Sequence, residues 1–165
     1  MEVETGGMGP LKSGSIEVIS NQGEDSAIVG TESFQLLGHG VSVPHSPARY
    51  EHQVYVSQTV DERTGVAIYN PDRVNSATLD LYLLDAAGAQ QASVQLALSP
   101  GQQIAQFMDE ASLFQAYFGA NPGDFRGTLN LQVRSDRRVS LIGLLQKRAS
   151  GALVAVSTAL DAFSP

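Results

Sequence analysis

An internal repeat constrains this chain more than any other feature of its sequence. Shifted by 113 residues without a gap, Gly14, Gly30 and Gly38 fall onto Gly127, Gly143 and Gly151. Between them Ile16, Val18, Ile28 and Val29 meet Leu129, Leu131, Leu141 and Ile142, and Val41 and Val43 meet Val154 and Val156. Self-similarity at a fixed offset marks a structural unit used more than once, and glycine at fixed places serves a turn or a close backbone approach. The 165 residues hold about one and a half such units. The predicted organisation is a loop or arm at 1–13, the C-terminal strands of a partial unit at 14–48, a complete unit at 49–160 and a tail at 161–165.

Apolar residues recur mostly with period two, the signature of half-buried strands. Strands are predicted around Ile16 and Val18 and over 27–37, 41–43, 53–58, 64–70, 77–84, 92–98, 103–107, 128–134, 139–146 and 152–156. Turn residues stand between them, including Gly38-His39-Gly40, Asn70-Pro71-Asp72, Asp85 to Gly88 and Ser99-Pro100-Gly101. One segment departs from this pattern. Leu113, Phe114, Tyr117 and Phe118 have helical spacing, with Asp109 as the expected N-cap and Gly119 as the stop, which predicts a short helix over 109–118 plugging one end of the fold. Strands arriving every 8–14 residues predict an all-β, antiparallel sandwich. Its expected core is Ile16, Val18, Ile28, Val54, Val56, Ile68, Leu79, Leu81, Leu83, Val94, Leu96, Leu129, Leu131, Leu141 and Leu144.

Specific motifs lie within the complete unit. They are the strand and turn at Thr64 to Pro71 (TGVAIYNP), the hairpin at Thr78 to Gly88 (TLDLYLLDAAG), the turn and strand at Leu98 to Phe107 (LSPGQQIAQF), and Gly127 to Asp136 (GTLNLQVRSD). Together they resemble the tandem Ig-like β-sandwich modules of large bacterial secreted and cell-surface proteins. The resemblance implies an Ig-like fold, an extracellular or cell-surface setting and a tandem arrangement, and it carries no catalytic residues.

The residues themselves say little about chemistry. Without cysteine there is no disulfide frame and no thiolate nucleophile. No GxSxG, P-loop, GxGxxG after a strand or HExxH occurs, so no catalytic residue is expected and the chain is read as a non-enzyme. His39 and His45 fall in turns. His45, His52 and Glu51 are a conceivable metal set, but His52 begins an alternating strand and no HxH spacing occurs, so no metal site is expected. Structural calcium has three candidate clusters: Asp61 with Glu62, Asp72 with Asn70 and Asn75, and Asp85 beside Gly88. Such residues in turns more often bond their own backbone, and no cofactor is assigned. No apolar run approaches the ~18 residues of a membrane span, and no basic-then-apolar leader opens the chain.

The surface offers two readings. Aromatic residues make up only 7 %, without tryptophan, but Tyr55 and Tyr82 alternate out of phase with their apolar neighbours and are candidate sugar-stacking rings. Charge is unevenly spread. Net charge is −7 overall, and all of it falls within residues 1–62, which makes nucleic acid a poor partner. Glu17, Glu24, Asp25 and Glu32 form an acidic front, while Arg134, Arg137, Arg138, Lys147 and Arg148 crowd one hairpin. These residues are candidate contacts for head-to-tail assembly, the alternative being a charged hairpin that protects an edge strand. The unpartnered strands of the partial unit must pair within the chain or with a neighbouring copy, and the second route propagates into a fibre. The sequence therefore predicts a noncatalytic structural or adhesive module, with a carbohydrate-binding accessory module as the rival.

Overall fold

A computed structural model describes residues 31–36, 39–156 and 158–159. The predicted strands over 14–30, the core positions Ile16, Val18 and Ile28, the three N-terminal repeat glycines, and the candidate contacts Glu17, Glu24 and Asp25 lie outside them. So do the arm at 1–13 and the tail at 161–165.

The chain is an antiparallel β-sandwich. Its strands are β1 (Thr31–Leu36), β2 (His39–Pro44), β3 (Glu51–Gln58), β4 (Glu62–Tyr69), β5 (Ala77–Asp85), β6 (Gln90–Leu98), β7 (Gln103–Phe107), β8 (Phe125–Val133), β9 (Ser140–Lys147), β10 (Leu153–Val156) and β11 (Thr158–Ala159). A short helix, α1 (Gln115–Ala120), precedes β8. Nine strands make one open ladder in the order β10-β9-β4-β3-β8-β5-β6, with β11 beside β3 and β7 beside β4.

The ladder folds into two layers at β3 and β4, which share a single pair, Gln58 with Arg63. At this corner side chains replace the interrupted ladder. The Thr64 hydroxyl accepts from the Ser57 N–H (2.9 Å), and the Gln58 side-chain oxygen accepts from the Thr64 N–H (3.1 Å). Thr59 Oγ1 accepts from the N–H groups of Asp61 and Glu62. These polar side chains are buried, so each bond removes an otherwise costly unmet group.

The inward residues of both layers form one core. β3, β8 and β5 are in register, so Val54, Leu129 and Leu83 line one row and His52, Leu131 and Leu81 the next. Val66 and Ile68 of β4 and Leu141 of β9 face them from the second layer. The expected core residues Val54, Val56, Ile68, Leu79, Leu81, Leu83, Leu129, Leu131 and Leu141 are buried. Val94, Leu96 and Leu144 are only half-buried; β6 carries the first two and, among the described residues, ends the sheet, with strand neighbours on one side only.

Two repeat glycines sit where the backbone or the opposite layer comes close. A β-carbon on Gly127 would collide with the carbonyl oxygen of Leu84, and one on Gly143 would stand 2.8 Å from Val54 Cγ2 across the sandwich. Gly151 adopts φ 74° in the β9–β10 turn.

The helix is shorter than the expected 109–118 and displaced toward the C-terminus, so Gly119 lies inside it rather than stopping it. It starts after Phe114, and Asp109 is not its N-cap. Residues 108–114 form turns instead, closed by Leu113 N–H to the Glu110 carbonyl and Phe114 N–H to the Met108 carbonyl. The reason is packing. Met108, Leu113 and Phe114 are all buried, whereas continuous helix would put positions five apart about 140° round the axis. The plug itself is present, at the corner end. The Met108 N–H bonds to the Thr64 carbonyl, and Tyr117, Phe118 and Phe125 pack edge-to-face with centroids 5.2–6.0 Å apart.

β1 and β2 form a separate two-stranded sheet. Val41 and Val43 bury against Leu153 of β10, flanked by Ile142, Leu144 and Ala155. His39 and Gly40, expected in a turn, belong to β2.

Candidate functional site

The candidate residues divide into three groups: a histidine–carboxylate set, a ring of ion pairs, and an outward face centred on Tyr55.

The histidine set is not brought together. His52 points into the core and its Nε2 lies 2.7 Å from the Val139 carbonyl oxygen. Glu51 alternates to the exposed face, and His45 is exposed between prolines. Among the described residues no group of three or more His, Asp and Glu side chains is gathered to hold a metal. The calcium candidates serve turns. Asp72 Oδ1 accepts from the N–H groups of Val74 and Asn75, both at 2.8 Å. Asn70, fully buried, donates from Nδ2 to the carbonyls of Asn75, Leu98 and Ser99. Asp85 Oδ1 accepts from Ala87 and Ala89 N–H inside the β5–β6 turn.

The five bases of the last hairpin find partners in their own chain. Arg134 pairs with Asp80 and Lys147 with Glu62. Arg137 lies 3.4 Å from Asp72 and Arg148 3.4 Å from Asp109. The Arg138 guanidinium stands 5.1 Å from the centre of the Tyr50 ring. Three carboxyls are held below the ordinary carboxylate range. Lys147, then the Ser57 hydroxyl, lowers Glu62; the N–H groups of Asn75 and Val74 lower Asp72; Arg134 lowers Asp80. Asp80 in turn raises Arg134. Glu32 lies in β1.

Tyr55 and Tyr82 share the outward face of β3, β8 and β5. Tyr55 stands in register with Thr128 and Leu84, and Tyr82 with Asn130 and Gln53. Tyr55 is 44 % exposed, whereas Tyr82 is half-buried. Tyr55 borders a shallow depression of about 390 Å³, whose lining includes Gln53, Thr128, Asn130, Asp85 and Arg126. Tyr82 is not part of that lining; it lies beside Arg134. The polar neighbours of Tyr55 were not singled out from the sequence. The polar phase of NLQ in β8 was the available signal, but only strand order sets Asn130 between Gln53 and Tyr82.

Fold and surface together define an antiparallel β-sandwich module. No family model matches the chain, and no curated protein or solved structure is found similar to it. Among the described residues no helix is long and apolar enough to cross a membrane.

Proposed function

We propose that this chain is a noncatalytic structural or adhesive module of an extracellular or cell-surface assembly, joining copies of itself or neighbouring repeats by strand addition at β6. The observation that carries the proposal is the character of that strand. β6 is nine residues long, QQASVQLAL, without charge or proline, and among the described residues it pairs with β5 alone. Natural sheets blunt their edges with charges, prolines, bulges or covering elements; β6 has a register irregularity at Gln91, but from Ala92 to Leu98 it carries no charge, proline or bulge, and among the described residues nothing pairs with its outer side. Its inward Ala92, Val94 and Leu96 are only partly covered and gain burial when a strand is added. Its outward Gln91, Ser93, Gln95 and Ala97 oppose no like charges when β6 meets a second β6. The basic hairpin is a weaker route, because its charges are paired at home. The resemblance of residues 64–136 to surface modules supports the extracellular setting.

Sedimentation velocity over a concentration series tests the proposal. The wild-type chain is expected to associate. A Ser93→Lys/Gln95→Lys double variant, with an unchanged circular dichroism spectrum, is expected to remain monomeric. β6 pairing with β6 closes a two-fold dimer, whereas β6 pairing with another strand propagates a head-to-tail fibre. A strictly monomeric wild type at high concentration, in low and high salt, overturns the proposal.

A further inference from the structure

The outward face beside Tyr55 carries a separate inference. We infer that it is a binding site for a short oligosaccharide, with the Tyr55 ring as the stacking platform and the amides of Gln53 and Asn130 as the polar readers.

Four observations converge. First, Tyr55 keeps 44 % of its surface exposed in mid-strand, although the adjacent β8 has side chains able to cover it. An aromatic ring presents an electron-rich face, and a pyranose presents a patch of slightly positive C–H groups to such a face. Second, the depression beside the ring, about 390 Å³, lies within the volume range of small-molecule sites. Third, the polar groups around it are mostly neutral and planar or hydroxylic: Gln53, Asn130 and Thr128. Amides offer both donors and acceptors, which suits the hydroxyls of a sugar, each of which also does both. Fourth, Asn130 Oδ1 is shielded from solvent and has no hydrogen-bond partner among the described residues. A buried acceptor left unmet costs stability; a turn of the amide toward the depression brings it within reach of a ligand hydroxyl, which then satisfies it.

The depression is bounded at one end by the β5–β6 turn. There the Asp85 carboxylate is already engaged by Ala87, Ala89 and Gln91. Arg126, exposed on β8, supplies one cation at the rim. Strand spacing of about 4.8 Å makes the span from β3 across β8 to β5 about 10 Å, room for a short oligosaccharide lying across the strands. The flat, open shape favours a ligand read along one face over one enclosed on all sides. β3 is separated from β6 by β8 and β5, so the site stays open whether or not copies pair at β6.

The test uses the full chain on an array of short glucose, galactose, mannose and N-acetylglucosamine oligosaccharides, followed by calorimetric titration of the best binder. Tyr55→Ala is expected to weaken binding by about tenfold or more, and Tyr55→Phe, which keeps the ring, by less than about threefold. Asn130→Ala is expected to weaken binding by about tenfold. The melting temperature of Tyr55→Ala should match the wild type, since the ring is largely outside the core. Absence of binding to every oligosaccharide at millimolar concentration overturns the inference. So does binding that survives both Tyr55→Ala and Asn130→Ala.

Discussion

The two ends of the sheet are finished in opposite ways. At the β10 end, β2 lays Val41 and Val43 over Leu153, and the neighbouring strands carry ion pairs, Lys147 to Glu62 and Arg148 to Asp109. At the β6 end the edge strand itself carries no charge, its neighbour β5 holding Asp80 paired with Arg134, and among the described residues no element pairs with the outer side. The β6 end packs on the main core and the β10 end on the smaller cluster of Val41, Val43 and Leu153, with β9 giving Leu141 to the first and Leu144 to the second. One end uses covering and charge against unwanted strand pairing, and the other, among the described residues, leaves the outer backbone groups of its edge strand without a partner.

The largest expected effect tests the main core. Leu81→Ala removes a fully buried side chain beside Leu131 and Val94, and should cost about 2–5 kcal/mol in urea unfolding. Both ends should lose stability together. A loss below about 1 kcal/mol would place that side chain at the surface.

Gly127→Ala should act more locally. A methyl group there meets the Leu84 carbonyl, so β5 must shift from β8, at about 1–3 kcal/mol. Hydrogen exchange should rise in β5 and β6 more than in β9 and β10. Equal loosening of all four strands would blur the contrast.

Acid should act on both sides, since Asp80 lies on β5 beside β6 while Glu62 pairs with Lys147 of β9. Glu62, Asp72 and Asp80 are held below the ordinary carboxylate range by their partners. A carboxyl depressed in the folded state contributes stability above its unfolded pKa and loses that contribution as pH falls through the folded one. The melting temperature should therefore be level above the ordinary carboxylate range and fall below it. Glu62→Gln should flatten part of that fall without altering association at β6. The smallest effect on stability, within about 0.5 kcal/mol, belongs to Ser93→Lys/Gln95→Lys, whose consequence is read in association.

Much of the fold was legible in the sequence because period-two alternation is a local property. ATLDLYLL and GTLNLQV declare which residues face inward before any partner strand is known. Turn chemistry was equally local, since Asp72 and Asp85 bond backbone groups within four residues of themselves. The helix was misjudged for the opposite reason. Leu113, Phe114, Tyr117 and Phe118 have helical spacing, but Met108 also had to reach the core, and only the surrounding strands impose that demand.

The candidate site divides along the same line. The sequence by itself determined that Tyr55 points away from the core, because Val54 and Val56 beside it are apolar and successive side chains alternate across a strand. It also determined that the last hairpin is basic and that β6 is uncharged. Only the tertiary structure decided which strands are neighbours. It set Asn130 of β8 beside Gln53 of β3, paired Arg134 with Asp80 across 54 residues and, among the described residues, left β6 at the end of the sheet. Alternation is written into each strand by the geometry of the backbone, whereas strand order depends on the burial of all inward faces at once, a property no single segment contains.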